Sequence, residues 1–304
     1  MTGRYAPSPT GDLHLGNLRT ALLAWGFARR AGLGFHMRME DLDDRARPQY
    51  YERQLADLAA IGVDWDGDVL YQSTRTARYD QIFAGLAARG LLYECYCTRR
   101  ELSEVAAAPH RPPGAYPGTC RELSEAEREA GRAKLAGMNR GPAYRLRTDV
   151  VELEVTDRLA GRYVGAVDDF VIRRGDGTYS YNFVSVVDDG DFGVTQIVRG
   201  DDLLPSTPRQ VYLQRLLGYR NPEYIHVPLV LNLDGVRLAK RDGAVTLADL
   251  ADLGWQPEAV RALLLKSLGL PADAGADDIV PEAIPREPWL LDVAALEREP
   301  HSCP

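Results

Sequence analysis

The spacing of hydrophobic residues in the first 90 positions alternates between two periods. Residues 18–31 place their apolar side chains on one helical face, whereas residues 35–40 alternate apolar and polar side chains as a strand does. Helical spacing returns after Pro48 and again at about residues 75–88. A short strand that ends at Tyr5 precedes these elements, so the pattern predicts βαβ units and a parallel sheet covered by helices on both faces.

This alternation stops near Leu91 and resumes at Asp169. The interval contains a cysteine cluster, a Pro/Gly-rich loop and a polar helix, for which Ser124 and Glu127 predict a capping box. Beyond the interval the pattern predicts a helix over 208–217 and strands over 170–173, 179–187, 194–198 and 224–231. The interval therefore has the character of an insertion in an α/β domain.

The same pattern divides the chain into three parts. We predict an α/β domain with a parallel sheet over residues 1–90 and 165–245, an inserted lobe over 91–164, and a helical C-terminal segment over 246–304. No apolar run approaches the roughly 20 residues that a membrane span needs. We therefore expect no membrane association and a cytoplasmic location. We also expect a monomer.

Charge limits the possible partners of the chain. The formal net charge of −8 argues against indiscriminate binding of nucleic acid, which requires a basic surface. A protein that reads nucleic acid is compatible with this charge only if its basic residues cluster. Arg140, Arg145 and Arg147 form one such cluster in the sequence, for which a solvated mixed-charge face is an equally good interpretation.

The segment from residue 4 to residue 17, RYAPSPTGDLHLGN, contains the most informative motif. A strand end is followed by a Pro/Gly-rich loop, and His14 and Gly16 come just before an apolar helical run. Free N–H groups and the helix dipole favour anions at such a helix start. An imidazole there can donate to phosphates, and glycine removes a side chain where a base must lie against the backbone. The motif predicts a nucleotide site.

Three cysteines, Cys95, Cys97 and Cys120, lie inside the predicted insertion. In a cytoplasmic chain such spacing favours metal binding over disulfides. Three thiolates suit tetrahedral zinc, which needs a fourth ligand, and His110 is the obvious candidate from the residues alone. Such a zinc would be structural, because a small lobe with little hydrophobic core needs a metal or a cross-link to be stable. Cys303 is interpreted as a terminal bystander.

Two acidic groups lie outside these motifs. We interpret them as loop and cap residues rather than a metal centre, and we expect Mg²⁺ to arrive with the nucleotide. The two groups comprise Asp41, Asp43, Asp44, Asp188, Asp189 and Asp191.

The 4–17 motif resembles the first signature of class I aminoacyl-tRNA synthetases in its glutamyl form. The tetrad from His14 to Asn17 corresponds to their His-Ile-Gly-His sequence, which implies that His14, Gly16 and Asn17 bind ATP. Residues 236–242 resemble the second signature, Lys-Met-Ser-Lys-Ser, with Lys240 at the second lysine. Arg237 replaces the first lysine, and an alanine replaces the serine. The resemblance implies that His14 and Lys240 are catalytic and that Lys240 also binds ATP.

A glutamate substrate has two carboxylates and one ammonium group, so a selective site needs fixed cations and an anion. The resemblance implies that the glutamate-binding residues are Arg4, Ser8, Glu40, Tyr181 and Arg199. Glu40 would hold the ammonium group, Arg4 and Arg199 would bind the carboxylates, and the tyrosine would supply a hydroxyl. The alternative for Arg199 is a structural ion pair with Asp201 or Asp202.

The cysteine cluster and the short stretch after Lys240 together resemble the glutamyl-queuosine tRNA(Asp) synthetases. This resemblance covers about residues 1–250 and implies ATP-dependent activation of L-glutamate and its transfer to queuosine in the anticodon of tRNA(Asp). It also implies a class I Rossmann-type fold with an inserted zinc-containing lobe, and Tyr116 rather than His110 as the fourth zinc ligand. The inserted lobe is where we expect the anticodon loop to be read.

Two other functions remain open at this point. One is a short glutamyl-tRNA synthetase that charges the tRNA 3′ end. The other is a synthetase paralogue without activity that only binds tRNA or a partner.

Overall fold

The structure is a computed structural model that describes residues 1–98, 100–102, 115–238 and 245–298. Its strands are β1 (Thr2–Tyr5), β2 (Gly34–Met39), β3 (Leu70–Tyr71), β4 (Leu92–Cys95), β5 (Ala143–Leu146), β6 (Glu152–Asp157), β7 (Gly161–Ala166), β8 (Val171–Arg173), β9 (Gln196–Gly200), β10 (Glu223–Val227), β11 (Val230–Asn232) and β12 (Trp289–Leu291). Its α-helices are α1 (Leu15–Arg30), α2 (Pro48–Ala60), α3 (Thr76–Ala88), α4 (Glu125–Ala136), α5 (Tyr181–Asp191), α6 (Thr207–Leu217), α7 (Leu247–Asp252), α8 (Pro257–Lys266) and α9 (Val293–Arg298).

A parallel sheet forms the centre of the fold. Strands β1, β2 and β3 pair in parallel, and β10 pairs in parallel with both β9 and β6. A parallel bridge between Thr2 and Val194 places β9 beside β1, so the order is β3-β2-β1-β9-β10-β6-β7. The chain runs outward in one direction from β1 and in the other from β9. Ligands bind at such a switch point, beyond the carboxyl ends of the strands.

The predicted helices of the first half are confirmed at α1, α2 and α3, and so are α6 and the capping box that begins α4. The strand predicted over 179–187 is wrong, because this segment forms α5. Its β-branched and aromatic residues favour a strand by propensity, but Phe183, Val184 and Val187 are buried against α3 and α6 as parts of a helix. Tertiary packing has overridden the local preference. The strand predicted over 224–231 is interrupted at Pro228, which lacks an N–H donor.

The region of the predicted insertion contributes to two sheets. Strands β4, β5 and β8 form a small antiparallel sheet, and α4 packs nearby through Leu135. The β6–β7 hairpin, however, pairs with β10 through Tyr224 and Asp157. Residues 152–166 therefore extend the central sheet. The proposed lobe boundaries therefore divide a sheet that the structure shows as continuous.

The C-terminal segment packs directly on the first helix of the chain. Val260, Leu264 and Ile279 share one hydrophobic cluster with Leu22 and Phe27 of α1. A methyl group added at Gly26 would come within 2.6 Å of Ile279, so only glycine allows this close approach. Within the described residues, no helix has the length and apolar character needed to cross a bilayer.

Candidate active site

A cleft of about 510 Å³ opens at the switch point of the parallel sheet, beyond the carboxyl ends of β1, β9 and β10. It is lined by every described residue that the sequence predicts for ATP or glutamate binding, namely Arg4, Ser8, His14, Gly16, Asn17, Glu40, Tyr181 and Arg199. The chain brings these residues together from strand ends and helix starts that are far apart in sequence. The cleft is therefore the candidate active site.

His14 is the N-cap of α1 and takes part in a reciprocal capping box. Its Nδ1 accepts hydrogen bonds from the backbone N–H groups of Gly16 (3.1 Å) and Asn17 (3.3 Å), and Asn17 Oδ1 accepts from the backbone N–H of His14 (3.2 Å). Because Nδ1 accepts, the neutral ring carries its proton on Nε2. Burial, with a smaller contribution from Arg237, lowers the pKa of His14 to about 4. The ring is thus a neutral donor near pH 7.

Gly16 is required by the position of this ring. A Cβ atom at Gly16 would lie 3.0 Å from both Cε1 and Nδ1 of His14, and 3.5 Å from Val230. A side chain at this position would require the imidazole to shift by a few tenths of an ångström. The motif therefore depends on glycine both for access to the helix start and for the orientation of His14.

The second signature is only partly within the described residues. Arg237 lines the cleft and forms an ion pair with Asp202, whereas Lys240 lies outside the described residues. The backbone N–H of Leu15 donates to the Val245 carbonyl (2.9 Å), which joins the start of α1 to the residue that follows this loop. Of the second signature, Arg237 thus lies in the cleft near His14.

Arg4 and Glu40 belong to a buried ionic network. Arg38 donates to Glu40 Oε1 (3.0 Å) and to Asp189 Oδ1 (2.6 Å), and Arg4 Nε reaches the same Asp189 oxygen at 3.3 Å. Ser185 adds a hydroxyl hydrogen bond to Glu40 Oε1 (3.3 Å). Arg4 and Glu40, one cation and one anion of the cleft, are therefore oriented by buried side chains behind the cleft wall.

Asp188 and Asp189 correct the interpretation of these acidic residues as loop and cap residues. Both lie within α5 and are buried, Asp188 completely. Burial alone would raise the pKa of Asp189, but the adjacent Arg38 and Arg4 guanidiniums hold it below its usual value. Asp188 accepts from Arg75 Nε (2.6 Å). These two carboxylates are buried counter-charges for arginines.

Arg199 lies at the opposite wall of the cleft. It donates to Tyr181 Oη (3.2 Å) and Gln210 Oε1 (2.7 Å) through Nη1, and its Nε donates to His226 (3.0 Å). Among the described residues, no ion pair joins Arg199 to Asp201, and Asp202 instead pairs with Arg237. The alternative of a structural Arg199–aspartate pair is therefore wrong.

The predicted metal ligands also converge. The sulfur atoms of Cys95, Cys97 and Cys120 all lie within 4.8 Å of one another, and Cys97 Sγ is 3.6 Å from Cys120 Sγ. Tyr116 Oη lies 3.4 Å from Cys95 Sγ and 3.8 Å from Cys97 Sγ. Tetrahedral zinc with bonds of about 2.3 Å to sulfur separates its sulfur ligands by about 3.8 Å, which these distances approach. His110 lies outside the described residues.

The basic cluster predicted in the lobe is only partly a solvated face, because Arg140 is exposed whereas Arg145 is not. Arg145 is buried, donates to the Asp169 carbonyl (2.8 Å) and lies over the Tyr116 ring, with its Cζ 3.6 Å from the ring centroid. Arg147 forms an ion pair with Glu122 (2.7 Å). These side chains hold the lobe together around the cysteine cluster.

Sequence reasoning missed the residues that orient the predicted ones. They come from distant elements and include Arg38, Asp157, Asp189, Thr207, Gln210 and His226. None belongs to a contiguous motif. A signal did exist for Asp189, since two adjacent aspartates in an apolar run suggest buried partners.

This fold and cleft define the catalytic domain of a class I aminoacyl-tRNA synthetase. A family described as "tRNA synthetases class I (E and Q), catalytic domain" matches residues 1–281. The chain resembles the crystal structure of a glutamate tRNA ligase from Elizabethkingia meningosepticum in complex with its amino acid. That likeness has a TM-score of 0.77 at 24% identity and covers 97% of this chain and 68% of the ligase, which supports the fold.

Curated relatives show which family within this class the chain resembles over its whole length. A "Glutamyl-Q tRNA(Asp) synthetase" from Nocardia farcinica is 59% identical over 99% of this chain and 96% of its own length, and one from Symbiobacterium thermophilum is 44% identical over 100% and 96%. A "Glutamate--tRNA ligase 1" from Alkalilimnicola ehrlichii is 43% identical over 86% of this chain but only 55% of its own length. The chain belongs to the glutamyl-Q tRNA(Asp) synthetase family.

Proposed function

We propose that this protein activates L-glutamate with ATP and transfers the glutamyl group to queuosine in the anticodon of tRNA(Asp). The observation that carries this proposal is the cleft itself, where Arg4, Glu40 and Arg199 lie beside the capped start of α1. Two fixed cations and one fixed anion match the charges of glutamate, and the helix start with its histidine donor matches a phosphate group.

The first half-reaction is the formation of glutamyl-adenylate. An oxygen of the glutamate α-carboxylate attacks the α-phosphorus of ATP, and the bond to pyrophosphate breaks. Such a step needs positioning and positive charge rather than a protein nucleophile. His14 Nε2–H and the N–H groups of α1 would bind the phosphates together with Lys240, and Gly16 and Asn17 would shape the nucleotide end of the cleft. Mg²⁺ would enter with ATP.

Glutamate would lie across the sheet from the nucleotide motif. Glu40 would bind the substrate ammonium group, while Arg4 and Arg199 would bind its two carboxylates. Tyr181 and Ser8 would add hydroxyl groups from either side. The buried Arg38–Asp189 pair would keep two of these groups in place before substrate arrives, which lowers the ordering cost of binding.

The second half-reaction is transfer of the activated glutamyl group. A nucleophilic group of queuosine attacks the carbonyl carbon of glutamyl-adenylate, and AMP leaves with the electron pair of the broken bond. Relatives named "Glutamyl-Q tRNA(Asp) synthetase" at 59% and 44% identity support this acceptor. The experiment is to supply labelled glutamate and ATP with tRNA(Asp) that contains or lacks queuosine. Label should enter only the queuosine-containing tRNA.

We also propose that Cys95, Cys97, Tyr116 and Cys120 bind one structural Zn²⁺. The converging sulfur and phenol oxygen atoms support this ligand set. The cluster lies in the small antiparallel lobe, where the core consists mainly of these residues and Tyr93, Tyr96 and Leu135. A metal there would stabilise the lobe and would take no part in the chemistry of the cleft.

Elemental analysis should find about one zinc per chain in the purified protein. Cys97→Ser should reduce that content and lower the melting temperature by at least about 5 °C, since each kcal/mol shifts it by roughly 2–4 °C. Tyr116→Phe should weaken zinc retention less, because three thiolates remain. Cys303→Ser is the matched control and should change neither quantity. A protein that is free of metal and equally stable after removal of Cys97 would contradict the assignment.

A further inference from the structure

Arg199 has an acceptor for each of its hydrogen-bond donors. Its guanidinium has five N–H groups, of which Nε donates to His226 and Nη1 donates to Tyr181 and Gln210. Nη2 donates to the Leu203 carbonyl (3.5 Å) and to Thr207 Oγ1 (2.9 Å). These acceptors are phenol, amide, carbonyl, hydroxyl and imidazole groups. Among the residues that the structure describes, the protein therefore fixes this cation in the cleft wall without a carboxylate in hydrogen-bond contact.

The His226 ring lies between Arg199 and the buried carboxylate of Asp157. Its Nδ1 lies 2.6 Å from Asp157 Oδ2, and its Nε2 lies 3.0 Å from Arg199 Nε and 3.3 Å from Thr207 Oγ1. Both side chains of the Asp157–His226 pair are fully buried. The imidazole therefore links this carboxylate to Arg199.

Backbone donors determine which imidazole nitrogen carries the proton. Asp157 Oδ1 accepts from the N–H groups of Leu159 (2.9 Å) and Ala160 (2.8 Å), and Oδ2 accepts from the N–H of His226 (3.0 Å). A carboxylate with these donors stays ionised and accepts the Nδ1 proton as well. His226 Nε2 is then a lone pair, which can accept from Arg199. Burial also lowers the pKa of His226, which favours the neutral ring.

We propose that Asp157 and His226 are positioning residues that hold Arg199 ready for a carboxylate of the glutamate substrate. This inference rests on the proposed function of the cleft. A direct Asp157–Arg199 ion pair would neutralise the cation and compete with the substrate. The interposed neutral imidazole instead orients Nε–H and leaves the positive charge of Arg199 to be balanced by the ligand. The substrate carboxylate would replace the Tyr181 hydroxyl and the Leu203 carbonyl as acceptors, since these are the longest contacts of Nη1 (3.2 Å) and Nη2 (3.5 Å) and both residues line the cleft.

Glutamate binding to the full chain, measured by isothermal titration calorimetry, tests this role. His226→Leu fills similar space without an acceptor, and we expect it to weaken glutamate binding on the order of 10- to 100-fold, as expected for loss of a charge-assisted contact. His226→Gln restores an acceptor oxygen and should recover most of the affinity. Ile225→Val, on the same strand but in the hydrophobic cluster that contains Leu22 and Phe27 of α1, is the matched control and should bind glutamate normally.

The Michaelis constants in ATP–pyrophosphate exchange give a second readout. His226→Leu should raise the value for glutamate and leave that for ATP within about twofold, because His226 contacts only the arginine side of the cleft. Equal losses for both substrates, or unchanged glutamate affinity, would overturn the inference. Wild-type protein that binds glutamate but performs no exchange would contradict the proposed function alone. Wild-type protein that binds no glutamate would contradict both.

The tautomer can be measured in the unaltered protein, so the test does not depend on a variant that folds. Nitrogen-15 NMR of the His226 ring near pH 7 should show a proton on Nδ1 and none on Nε2. A proton on Nε2 would oppose the Arg199 Nε–H donor and would overturn the proposed arrangement.

Discussion

His14→Ala should reduce glutamate-dependent ATP–pyrophosphate exchange by about 10²- to 10³-fold, the range seen when one donor to a developing charge is removed. The neutral ring presents Nε2–H toward the cleft because its Nδ1 is occupied by the helix N–H groups. Alanine removes this donor. It also removes the helix cap, which costs about 1 kcal/mol of stability.

His14→Asn separates these two effects. Asparagine is a strong N-cap residue and should restore the melting temperature. It is too short to place a donor where the imidazole Nε2 lies, so exchange should remain close to that of His14→Ala. Recovery of exchange by asparagine, or a loss smaller than tenfold with alanine, would show that His14 acts only as a cap.

Asp189→Ala should be among the most destabilising single changes in this protein. It removes the carboxylate that Arg38 contacts at 2.6 Å and Arg4 at 3.3 Å, and both arginines are almost completely buried. Removing one partner of a buried ion pair lowers the free energy of unfolding by about 3–5 kcal/mol. We expect a melting temperature lower by on the order of 10 °C, at roughly 2–4 °C for each kcal/mol.

Asp64→Ala is the control for Asp189→Ala, because Asp64 pairs with Arg29 while 73% of its side chain is exposed. Exposed pairs contribute about 0–1 kcal/mol. Equal melting temperatures for the two variants would contradict the importance of the buried network.

The same carboxylate predicts a pH dependence of stability. The pKa of Asp189 is lower in the folded protein, so its contribution is fully present above the unfolded value of about 3.9 and is lost as pH falls through the folded value. Asp189→Asn should therefore reduce the loss of stability below about pH 4. An unchanged acid profile would argue against an ionised Asp189 in the native state.

The parts of this site that could be predicted from sequence are those carried by short contiguous motifs. The 4–17 segment brings a strand end, a loop and a helix start together, so His14 and Gly16 reach the cleft by local geometry alone. Glu40 follows the same logic at the end of β2. The position of the C-terminal segment on α1 had no such signal, because it depends on a close approach at Gly26.

The error at α5 has a direct physical cause. A run of tyrosine, phenylalanine and valine has strand propensity, but a helix enclosed on several sides is also apolar all round. Periodicity cannot separate the two cases in so short a run. The consequence reaches the site, since Asp188 and Asp189 become buried partners of arginines only when 181–191 is a helix. No signal in the sequence indicated the β6–β7 hairpin, because the pairing of β6 with β10 joins residues far apart in the chain.

The account predicts that the glutamate acceptor is the queuosine base and not the tRNA 3′ end. The most direct measurement uses queuosine-containing tRNA(Asp) from which the terminal adenosine has been removed, with labelled glutamate and ATP. Undiminished incorporation of label, together with none into intact tRNA(Asp) that lacks queuosine, is the predicted result. Incorporation that requires the terminal adenosine and ignores queuosine would contradict the account and would identify a synthetase that charges the 3′ end.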